Sequence, residues 1–450
     1  MDVEIRPSSV GGDAALRLAA DVCAAAMGFA TGVITARALG PDGKGTLAVI
    51  AFLLGLFGPL GTLGLGEVAV VWFGRKRLSL QATFSRILPP AVAGAVIGAL
   101  GFVAIAAVTL EGGENVRLAI GAGAAGVVVS SLGLMGTSFL NTVHEFGVIN
   151  QSLLAGSTAT AILTALLVIV APLEVLGATL AIAGGGLIAA VPVFARLRRR
   201  GVRPRPAVDA GFLREAIPYG GRVLIGGTFI TLTGRLDVFL VYTLDGQSAA
   251  GYYSVGLTVA SVAAMAPLAL AYVVFPRFAA AGDAEARELT TTTARQTLVL
   301  AAAVGLALAA ISPFLVPLAF GADFEDSVGP TLVLLAGYVL SSLQWVLGRS
   351  LAARGAPQVM ARSWGVTLLA MVVADVPLIL TLGAIGAAIG WTLATCLGLA
   401  VCIAYQRREW GADLLRDLVP RGADVRLTWG RTSELVATVV RRLRGRDRRG

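Results

Sequence analysis

Two opposite charges stand in the middle of the apolar stretch TFITLTGRLDVFLVYTL, which covers residues 228–244. Arg235 and Asp237 are two positions apart, so on a helix they do not face each other and do not form a self-neutralising pair. An ionised side chain deep in a membrane span costs about 2.5–3.5 kcal/mol even on the mildest insertion scale, so each charge needs a partner or a ligand. An arginine in this position could bind a phosphate through two parallel hydrogen bonds.

Helical-wheel geometry gives two polar sides to the helix that contains this stretch and the residues just before it. Arg222, Thr233 and Asp237 fall on one side, and Arg235 falls on the other. A helix that is polar on two sides cannot face lipid broadly, so we expect it to stand between a cavity and another helix.

A second polar stripe lies near the start of the chain. Arg17 and Asp21 share a narrow helical face with three small or polar residues, Gly28, Gly32 and Thr35. We predict that both stripes line a cavity, with six candidate substrate-binding residues: Arg17, Asp21, Arg222, Thr233, Arg235 and Asp237. The alternative is that the arginines extend to the membrane interface and that the small residues only allow close helix packing.

Two further acids, Glu67 and Asp375, lie within apolar stretches and are candidates for binding a coupling ion or relaying protons. Either could instead cap or pair within its helix bundle. His144 has no neighbouring ligand residues, and the three cysteines form no C-x-x-C pair, so we expect neither a metal site nor a disulfide framework. The chain also lacks a G-x-x-x-x-G-K-[ST] phosphate loop, so it is not its own ATPase, and we expect no cofactor and no enzymatic activity.

The helices that must position these residues are membrane spans. The chain has 450 residues, 56% of them hydrophobic and 14% charged, and a mean hydropathy of +0.81. Globular domains carry about 25% charged residues, so this composition indicates an all-α polytopic membrane protein. Scanning for span-length apolar stretches predicts twelve helices, at 14–38, 45–73, 85–110, 117–143, 150–171, 173–196, 213–243, 247–275, 292–320, 326–349, 357–381 and 383–405.

The basic residues predict the orientation of these helices. Lys and Arg concentrate in the connections after spans two, six, eight and ten, whereas the opposite connections hold Arg37, Lys44 and Arg117 and the acidic stretches LEGGENV (110–116) and GADFEDS (321–327). Cytoplasmic connections are enriched in positive residues, so we expect a multi-pass protein of the cytoplasmic membrane with both termini inside. The connection TVHEFGVIN does not fit this pattern, because it holds no positive residue.

The predicted domains are two six-helix lobes and two basic segments. They are an N-terminal lobe at 1–196, a cytoplasmic linker at 197–212, a C-terminal lobe at 213–405 and a cytoplasmic tail at 406–450. In the tail, Leu435, Val436, Val439, Val440 and Leu443 form an apolar helical stripe beside arginines, which favours either a helix on anionic membrane lipid or a disordered solubilising tail. Membrane topology accounts for most of the basic residues, so a nucleic-acid partner is not expected.

A weak internal repeat relates the two lobes. The stretch ITARALGPDGKGTLAVIAFLLGLFGPL (34–60) and the stretch VYTLDGQSAAGYYSVGLTVASVAAMAPL (241–268) both pass from a helix end through a short polar turn to a glycine, Gly45 or Gly251. Six spans per repeat is an even number, so both lobes keep the same orientation. We therefore expect two pseudo-equivalent bundles around a central cavity, with Arg17 and Arg222 at equivalent positions.

Short stretches of this sequence also resemble those of a known superfamily. The matching stretches are ARALGP (36–41) with Gly45, LGLG (63–66), GRLDVFLVYTL around Asp237, GYYSV (251–255) and VVFPRFA (273–279). The chain resembles the multidrug/oligosaccharidyl-lipid/polysaccharide exporter superfamily over about residues 14–405, and within it the Wzx-type polysaccharide-biosynthesis flippases. Glu67 departs from this pattern, where a small or neutral residue is expected.

The resemblance implies a flippase that moves a polyprenyl-pyrophosphate-linked oligosaccharide across the membrane by alternating access, with a polysaccharide polymerase and glycosyltransferases as possible partners. One alternative is a cation-coupled multidrug exporter of the same superfamily, whose cavity should be acidic or aromatic. Another is a membrane-embedded sugar polymerase or glycosyltransferase, which the short outer loops disfavour. An uptake carrier of a different fold is a further alternative.

Overall fold

The computed structural model describes residues 10–74, 78–280, 282–411 and 414–419, and these residues form helices joined by short connections, with no strand among them. The twelve α-helices are α1 Val10–Gly61, α2 Leu65–Gly74, α3 Leu80–Thr109, α4 Glu114–Thr142, α5 Phe146–Thr164, α6 Glu174–Arg199, α7 Ala210–Asp245, α8 Gln247–Ala280, α9 Asp283–Phe320, α10 Val328–Ala353, α11 Pro357–Trp410 and α12 Leu414–Asp417. A π-helix, Ala165–Val170, extends α5, and a 3-10 helix, Ala322–Ser327, precedes α10.

Nine helical ranges within the described residues are long and apolar enough to cross a membrane. Two of them, Ala19–Trp72 and Pro357–Trp410, are 54 residues long. At 1.5 Å per residue, a straight helix of that length would extend about 80 Å, well over twice the roughly 30 Å of a bilayer core. The predicted all-α membrane architecture is therefore confirmed, while the count of twelve crossings stays a prediction.

Each of the two longest ranges folds back on itself at a glycine. Gly40 has φ 65° and Gly383 has φ 59°, a left-handed backbone conformation that glycine adopts without steric cost. The fold-back is visible in contacts that a straight helix could not make: Lys44 Nζ lies 3.3 Å from the carbonyl oxygen of Gly32, and Gly390 packs against the Asp375 carboxylate. Predicted spans one and two, and predicted spans eleven and twelve, are thus hairpins.

The second predicted span, 45–73, is itself interrupted. α1 ends at Gly61 and α2 begins at Leu65, and between them Leu63 and Gly64 both have positive φ, 52° and 67°. Gly64 packs against the backbone of Gly220 in α7. This break places α2 against the start of α7, where the Trp72 ring packs edge to face with Phe212 and with Tyr219.

Helices α1 to α6 pack mainly with one another, α7 to α11 do the same, and the two halves meet through α1, α7 and α8. We call the end that carries residues 200–209 the linker end, and the end with the Gly40 bend the far end. At the far end the repeated turns pack directly together, since Gly45 contacts the Gln247 carbonyl and Gly251 contacts the Pro41 carbonyl. Such an approach leaves no room for a side chain at either glycine.

Polar contacts reinforce the far end. Arg37 donates to the carbonyl oxygens of Leu318 and of Ala319, the latter at 2.7 Å, near the end of α9. Ser248 hydrogen-bonds to Asp42, and the Gln247 amide donates to the Glu111 carbonyl at 3.3 Å. The far end of the space between the halves is therefore closed.

The linker lies along the start of α3. The Gln81 side chain bonds both to the carbonyl and to the amide of Arg203, at 2.9 and 2.6 Å, and the Ala207 amide donates to the Ser85 carbonyl at 2.9 Å. Asp209 caps α7, and the Phe212 amide together with Arg86 holds the pKa of its carboxyl below its ordinary value. The linker is thus fastened to the N-terminal half.

Two predicted segments lie wholly or largely outside the described residues, namely the N-terminal residues 1–9 and most of the basic tail, including its apolar stripe. The last predicted span continues beyond residue 405 as helix to Trp410.

Candidate functional site

A cavity of about 200 Å³ lies between the two halves. Its walls come from both arms of the α1 hairpin, from the end of α5, and from α6, α7 and α8. The lining residues are Gly28, Thr31, Gly32, Thr35, Lys44, Leu47, Ala48, Ala51, Thr164, Ala178, Ile182, Arg235, Ser254 and Thr258. Small residues on α1 leave room for this cavity, and Gly28, Gly32 and Thr35 of the predicted α1 stripe are among them.

Lys44 provides the positive charge from the N-terminal half. It is 8% exposed, and its ammonium donates to Thr35 Oγ1 at 2.8 Å and to the Gly32 carbonyl at 3.3 Å. An ammonium carries three hydrogens, so these two bonds leave one donor for a ligand. The Gly40 bend carries Lys44 back beside Gly32, which brings a residue predicted to lie in a loop into the cavity wall.

Arg235 provides the positive charge from the C-terminal half. Its side chain is exposed, and it is close enough to Lys44 for the two charges to repel each other. Arg235 and Lys44 are the charged residues among the described cavity lining, so the cavity carries net positive charge. A site with two like charges, one from each half, favours an anion.

The cavity hydroxyls mostly bond to their own helices. Thr31 donates to the Met27 carbonyl at 2.8 Å, Thr258 donates to the Ser254 carbonyl at 2.8 Å, and Ser254 donates to the Gly251 carbonyl at 2.9 Å. Their hydrogens are thereby used, which leaves oxygen lone pairs facing the cavity. Thr164 differs, because its buried hydroxyl has no hydrogen-bond partner among the described residues, so this hydroxyl can also donate to a ligand.

Thr233 and Asp237 do not line the cavity and are buried inside the C-terminal half. The Asp237 carboxylate accepts hydrogen bonds from the Tyr253 hydroxyl and from the Val238 amide. Thr233 donates to the Phe229 carbonyl at 2.8 Å, and its own carbonyl accepts the Trp391 indole at 3.2 Å. The two faces of α7 therefore have different surroundings, with Arg235 at the cavity and Asp237 in the interior.

Asp375 lies in the same interior as Asp237. Its side chain is fully buried, it is within electrostatic range of Asp237, and neither carboxylate oxygen has a hydrogen-bond partner among the described residues. Two buried carboxyl groups within electrostatic range disfavour each other's charged form, so a bound proton or cation would stabilise this site. Glu67, the other candidate coupling residue, is exposed in the first turn of α2 and lies apart from this pair.

The remaining candidates lie towards the linker end. Arg17 forms an ion pair with Asp21 at 3.1 Å, with side chains 50% and 44% exposed, and its guanidinium also donates to Asn150 at 3.4 Å. Arg222 is exposed on α7. The structure therefore does not gather the six predicted binding residues into one site: Arg235 lines the cavity, two residues are interior, and three lie nearer the linker end.

Lys44, Thr164, Ser254 and Thr258 line the cavity but are missing from the sequence-based candidates. Ser254 and Thr258 are one helical turn apart in α8, which is the signal that could have revealed them. Within the described residues, no group of three His, Cys, Asp or Glu side chains could hold a metal ion.

The sequence matches the model of a family described as polysaccharide biosynthesis proteins over residues 34–329. A search of the curated proteins with this sequence found no match.

Several solved transporters share the fold. A lipid II flippase, MurJ, in an inward closed conformation has a TM-score of 0.73 at 13% identity, with 90% of each chain covered. A multidrug-resistance MATE transporter of the MOP superfamily, in an inward-facing conformation, has a TM-score of 0.68 at 16% identity, with 88% of this chain and 98% of that chain covered. A MOP superfamily transporter from Pyrococcus furiosus, described as having a binding pocket of reverse polarity, has a TM-score of 0.57 at 15% identity, with 89% of this chain and 94% of that chain covered. These likenesses establish the fold of a multi-pass membrane protein, and with the family match they support a flippase or an exporter.

Proposed function

We propose, because this chain belongs to the family of polysaccharide biosynthesis proteins, that it is a flippase for a polyprenyl-diphosphate-linked oligosaccharide. It moves this lipid from the cytoplasmic to the outer leaflet of the cytoplasmic membrane by alternating access, as a transporter and not as an enzyme. Flanking glycosyltransferases would supply the substrate, and a polysaccharide polymerase would use the product. One observation carries the proposal: the charged residues described around the cavity are two cations, one from each half.

The substrate's diphosphate is the group that cannot enter hydrocarbon, because its charge needs polar partners throughout the crossing. Arg235 can bind the diphosphate through two parallel hydrogen bonds from its guanidinium, and Lys44 can add a point charge from the other half. A multidrug exporter for organic cations would need acids or aromatic rings here, and the described lining residues include neither.

The size of the cavity fits a headgroup. Pockets that enclose drug-sized ligands have about 300–1,000 Å³, whereas this one has about 200 Å³. In this conformation it accommodates a diphosphate with little else, so the oligosaccharide enters only when the halves separate further.

We place Arg17 and Arg222 on the route by which the substrate enters this cavity. Both stand near the linker end of pseudo-equivalent helices, where they receive the diphosphate and pass it to Arg235 and Lys44. The closed far end prevents release of the substrate on that side until the two halves tilt relative to each other. Coupling to a cation would take place at Asp375 with Asp237 beside it, and Glu67 is the second candidate.

The direct test is a flipping measurement with purified protein in liposomes that contain a polyprenyl-diphosphate-linked sugar. Replacing Arg235 by Lys keeps the charge but loses the fork, and replacing it by Gln loses both. Transport should fall for both variants, for Gln by on the order of 10- to 100-fold, since a hydrogen bond to a charged group contributes about 1.5–3 kcal/mol. Arg117→Gln, which changes an exposed arginine away from the cavity, is the matched control. If Arg235→Gln mainly lowers the amount of folded protein and flips normally per folded molecule, the ligand role is wrong.

Orientation is tested separately with an impermeant thiol reagent on intact cells. Cysteines at positions 113 and 325, both at the far end, should react from outside, and a cysteine at position 201 in the linker should not. Labelling at position 201 would reverse the direction proposed here.

A further inference from the structure

A row of buried polar groups follows the seam between α10 and the two arms of α11. We call it the polar seam, and its members are Gln344, Ser363, Thr367, Asp375 and Gln406. Ser363 and Thr367 lie one turn apart on the first arm of α11, and Asp375, about two turns further on, is turned about 80° from Thr367 around the helix. All three contact the second arm of α11, at Gly398 or at Gly390. Each faces a glycine or another polar group: Gly390 packs on Asp375, and Gly398 packs on Thr367.

The seam has more hydrogen-bond acceptors than protein donors. The Gln344 amide donates to Ser363 Oγ at 2.9 Å and to Thr367 Oγ1 at 3.1 Å. Ser363 donates to the Gly398 carbonyl at 2.8 Å, and Thr367 donates to the Ser363 carbonyl at 3.0 Å. These donors are therefore all used within the seam.

Four buried acceptor atoms remain without a donor among the described residues: Oε1 of Gln344, Oε1 of Gln406 and both carboxylate oxygens of Asp375. Buried acceptors in folded proteins are nearly always satisfied, and where protein groups do not serve, ordered water or a cation does. The unsatisfied atoms occur at three levels of one seam, which distinguishes them from a single packing defect.

The seam leads from Asp375 to the linker end. Thr367 lies eight residues, about 12 Å along the helix, from Asp375. Gln406 is further along, bonded to the Leu347 carbonyl at 3.4 Å and four residues before α11 ends at Trp410. Between Thr367 and Asp375 lies Met371, which is buried in the apolar core, so an ion on this route has to displace its flexible side chain.

We propose that the polar seam is a hydrated route by which a small monovalent cation reaches Asp375 from the linker end, separate from the substrate cavity. This rests on the proposed coupling role of Asp375. A separate route is needed because Lys44 and Arg235 repel cations from the cavity, while the seam offers the carbonyl, carboxylate and hydroxyl oxygens that hydrated cations prefer.

A native cysteine allows the route to be tested. Cys402 is buried on the second arm of α11, one helical turn after Gly398, whose carbonyl accepts the Ser363 hydroxyl. Silver ion is a small monovalent cation that binds thiols, so a hydrated seam should let it reach Cys402 in the folded protein. The measurement uses the variant with Cys23→Ser and Cys396→Ser, in which Cys402 is the remaining cysteine. The folded protein is exposed to silver nitrate for increasing times, then denatured and treated with an alkylating reagent. A Cys402 thiol that has bound silver is protected from alkylation.

The matched control places a cysteine at Ser131, which is equally buried but lies in the N-terminal half, with Cys402 replaced by Ser. Cys402 should be protected at least about tenfold faster than this control, which silver reaches only when the protein opens locally. The variant Gln344→Leu should slow the reaction of Cys402 and reduce cation-driven flipping, while binding of the lipid substrate is unchanged. Equal rates at the two cysteines would overturn the route.

Failure of the route and failure of the coupling role give different results. Rapid protection of Cys402 with normal transport by Asp375→Asn supports the hydrated seam and removes only the coupling role. Loss of transport in Asp375→Asn with an unreactive Cys402 removes the route and keeps the coupling role.

Discussion

The two halves share an order of helices but hold their buried charges differently. Among the described residues, the buried charged side chain of the N-terminal half is Lys44, which faces the cavity. Those of the C-terminal half are Asp237 and Asp375, which face away from it. The division of work between the halves is thus unequal. Each half offers a cation to the cavity, Lys44 or Arg235, whereas among the described residues the C-terminal half also buries carboxyl groups at which a mobile cation can bind.

α7 connects these two roles. Arg235 faces the cavity, and Asp237, two residues later, faces the interior acid. A change in the charge of the interior therefore acts on the same helix that carries Arg235, the proposed diphosphate-binding residue. We therefore expect cation binding at Asp375 to affect how Arg235 binds the substrate.

The largest effect should come from removing the interior charge. Asp375→Asn should reduce cation-driven flipping to background, because the neutral amide has no negative charge to attract a cation and no proton to exchange. The amount of folded protein should stay near normal. Glu67→Gln, at the exposed candidate, should retain transport. Flipping assays under sodium and pH gradients measure both, and normal flipping by Asp375→Asn would show that the division of work between the halves is wrong.

The next effect should come from the paired glycine turns at the far end. A methyl group at position 251 would collide with the Pro41 carbonyl, so Gly251→Ala should force the halves apart there, at an overpacking cost of about 1–3 kcal/mol. A cysteine at position 42 should then react faster with an impermeant reagent. Gly55→Ala is the control, because nothing lies within 4 Å of that site. Equal reactivity in the two variants would mean that this contact does not close the far end.

A smaller effect separates two tyrosines. Tyr253→Phe removes the hydroxyl that bonds to buried Asp237, which should cost about 1–3 kcal/mol of unfolding free energy because a buried acceptor loses its donor. The Tyr242 hydroxyl accepts only a long 3.4 Å bond from the Glu111 amide, so Tyr242→Phe should cost less. Thermal unfolding in detergent measures both, and a larger loss for Tyr242→Phe would contradict this ranking.

The smallest effect concerns the N-terminal half. Glu145 receives bonds from Arg196, at 2.7 Å, and from Arg200, and although burial raises the pKa of its carboxyl, these two arginines lower it below 4.5 overall. Since the folded pKa is lowered, the contribution is present above pH 4.5 and is lost as pH falls through the folded pKa. Glu145→Gln should cost about 0–1 kcal/mol at pH 7, as for partly exposed pairs, and less at pH 3. A cost that does not shrink on acidification would assign the effect to packing.

Sequence periodicity could predict the opposite faces of α7, because a 100° step per residue separates Arg235 from Asp237 regardless of the surroundings. It could not predict what lies on each face. The Tyr253 hydroxyl and the Asp375 carboxylate come from other helices, and their positions depend on tertiary packing.

Lys44 shows a different limit. Counting apolar residues assigns it to a loop between two spans, because a charge interrupts the apolar run. The positive φ of Gly40 removes that loop and folds Lys44 back against Gly32, a local conformation that composition does not reveal.

The glycine bends at Gly40 and Gly383 have a consequence for how the chain is made. Each joins two spans with helix on both sides, so that only a few residues between the spans have to be carried across the bilayer. We expect the first pair and the last pair of spans to leave the translocation machinery as preformed hairpins, so that the Lys44 charge enters the bilayer already bonded to the Gly32 carbonyl. A nascent chain halted between the two arms should remain unintegrated until the second arm is synthesised.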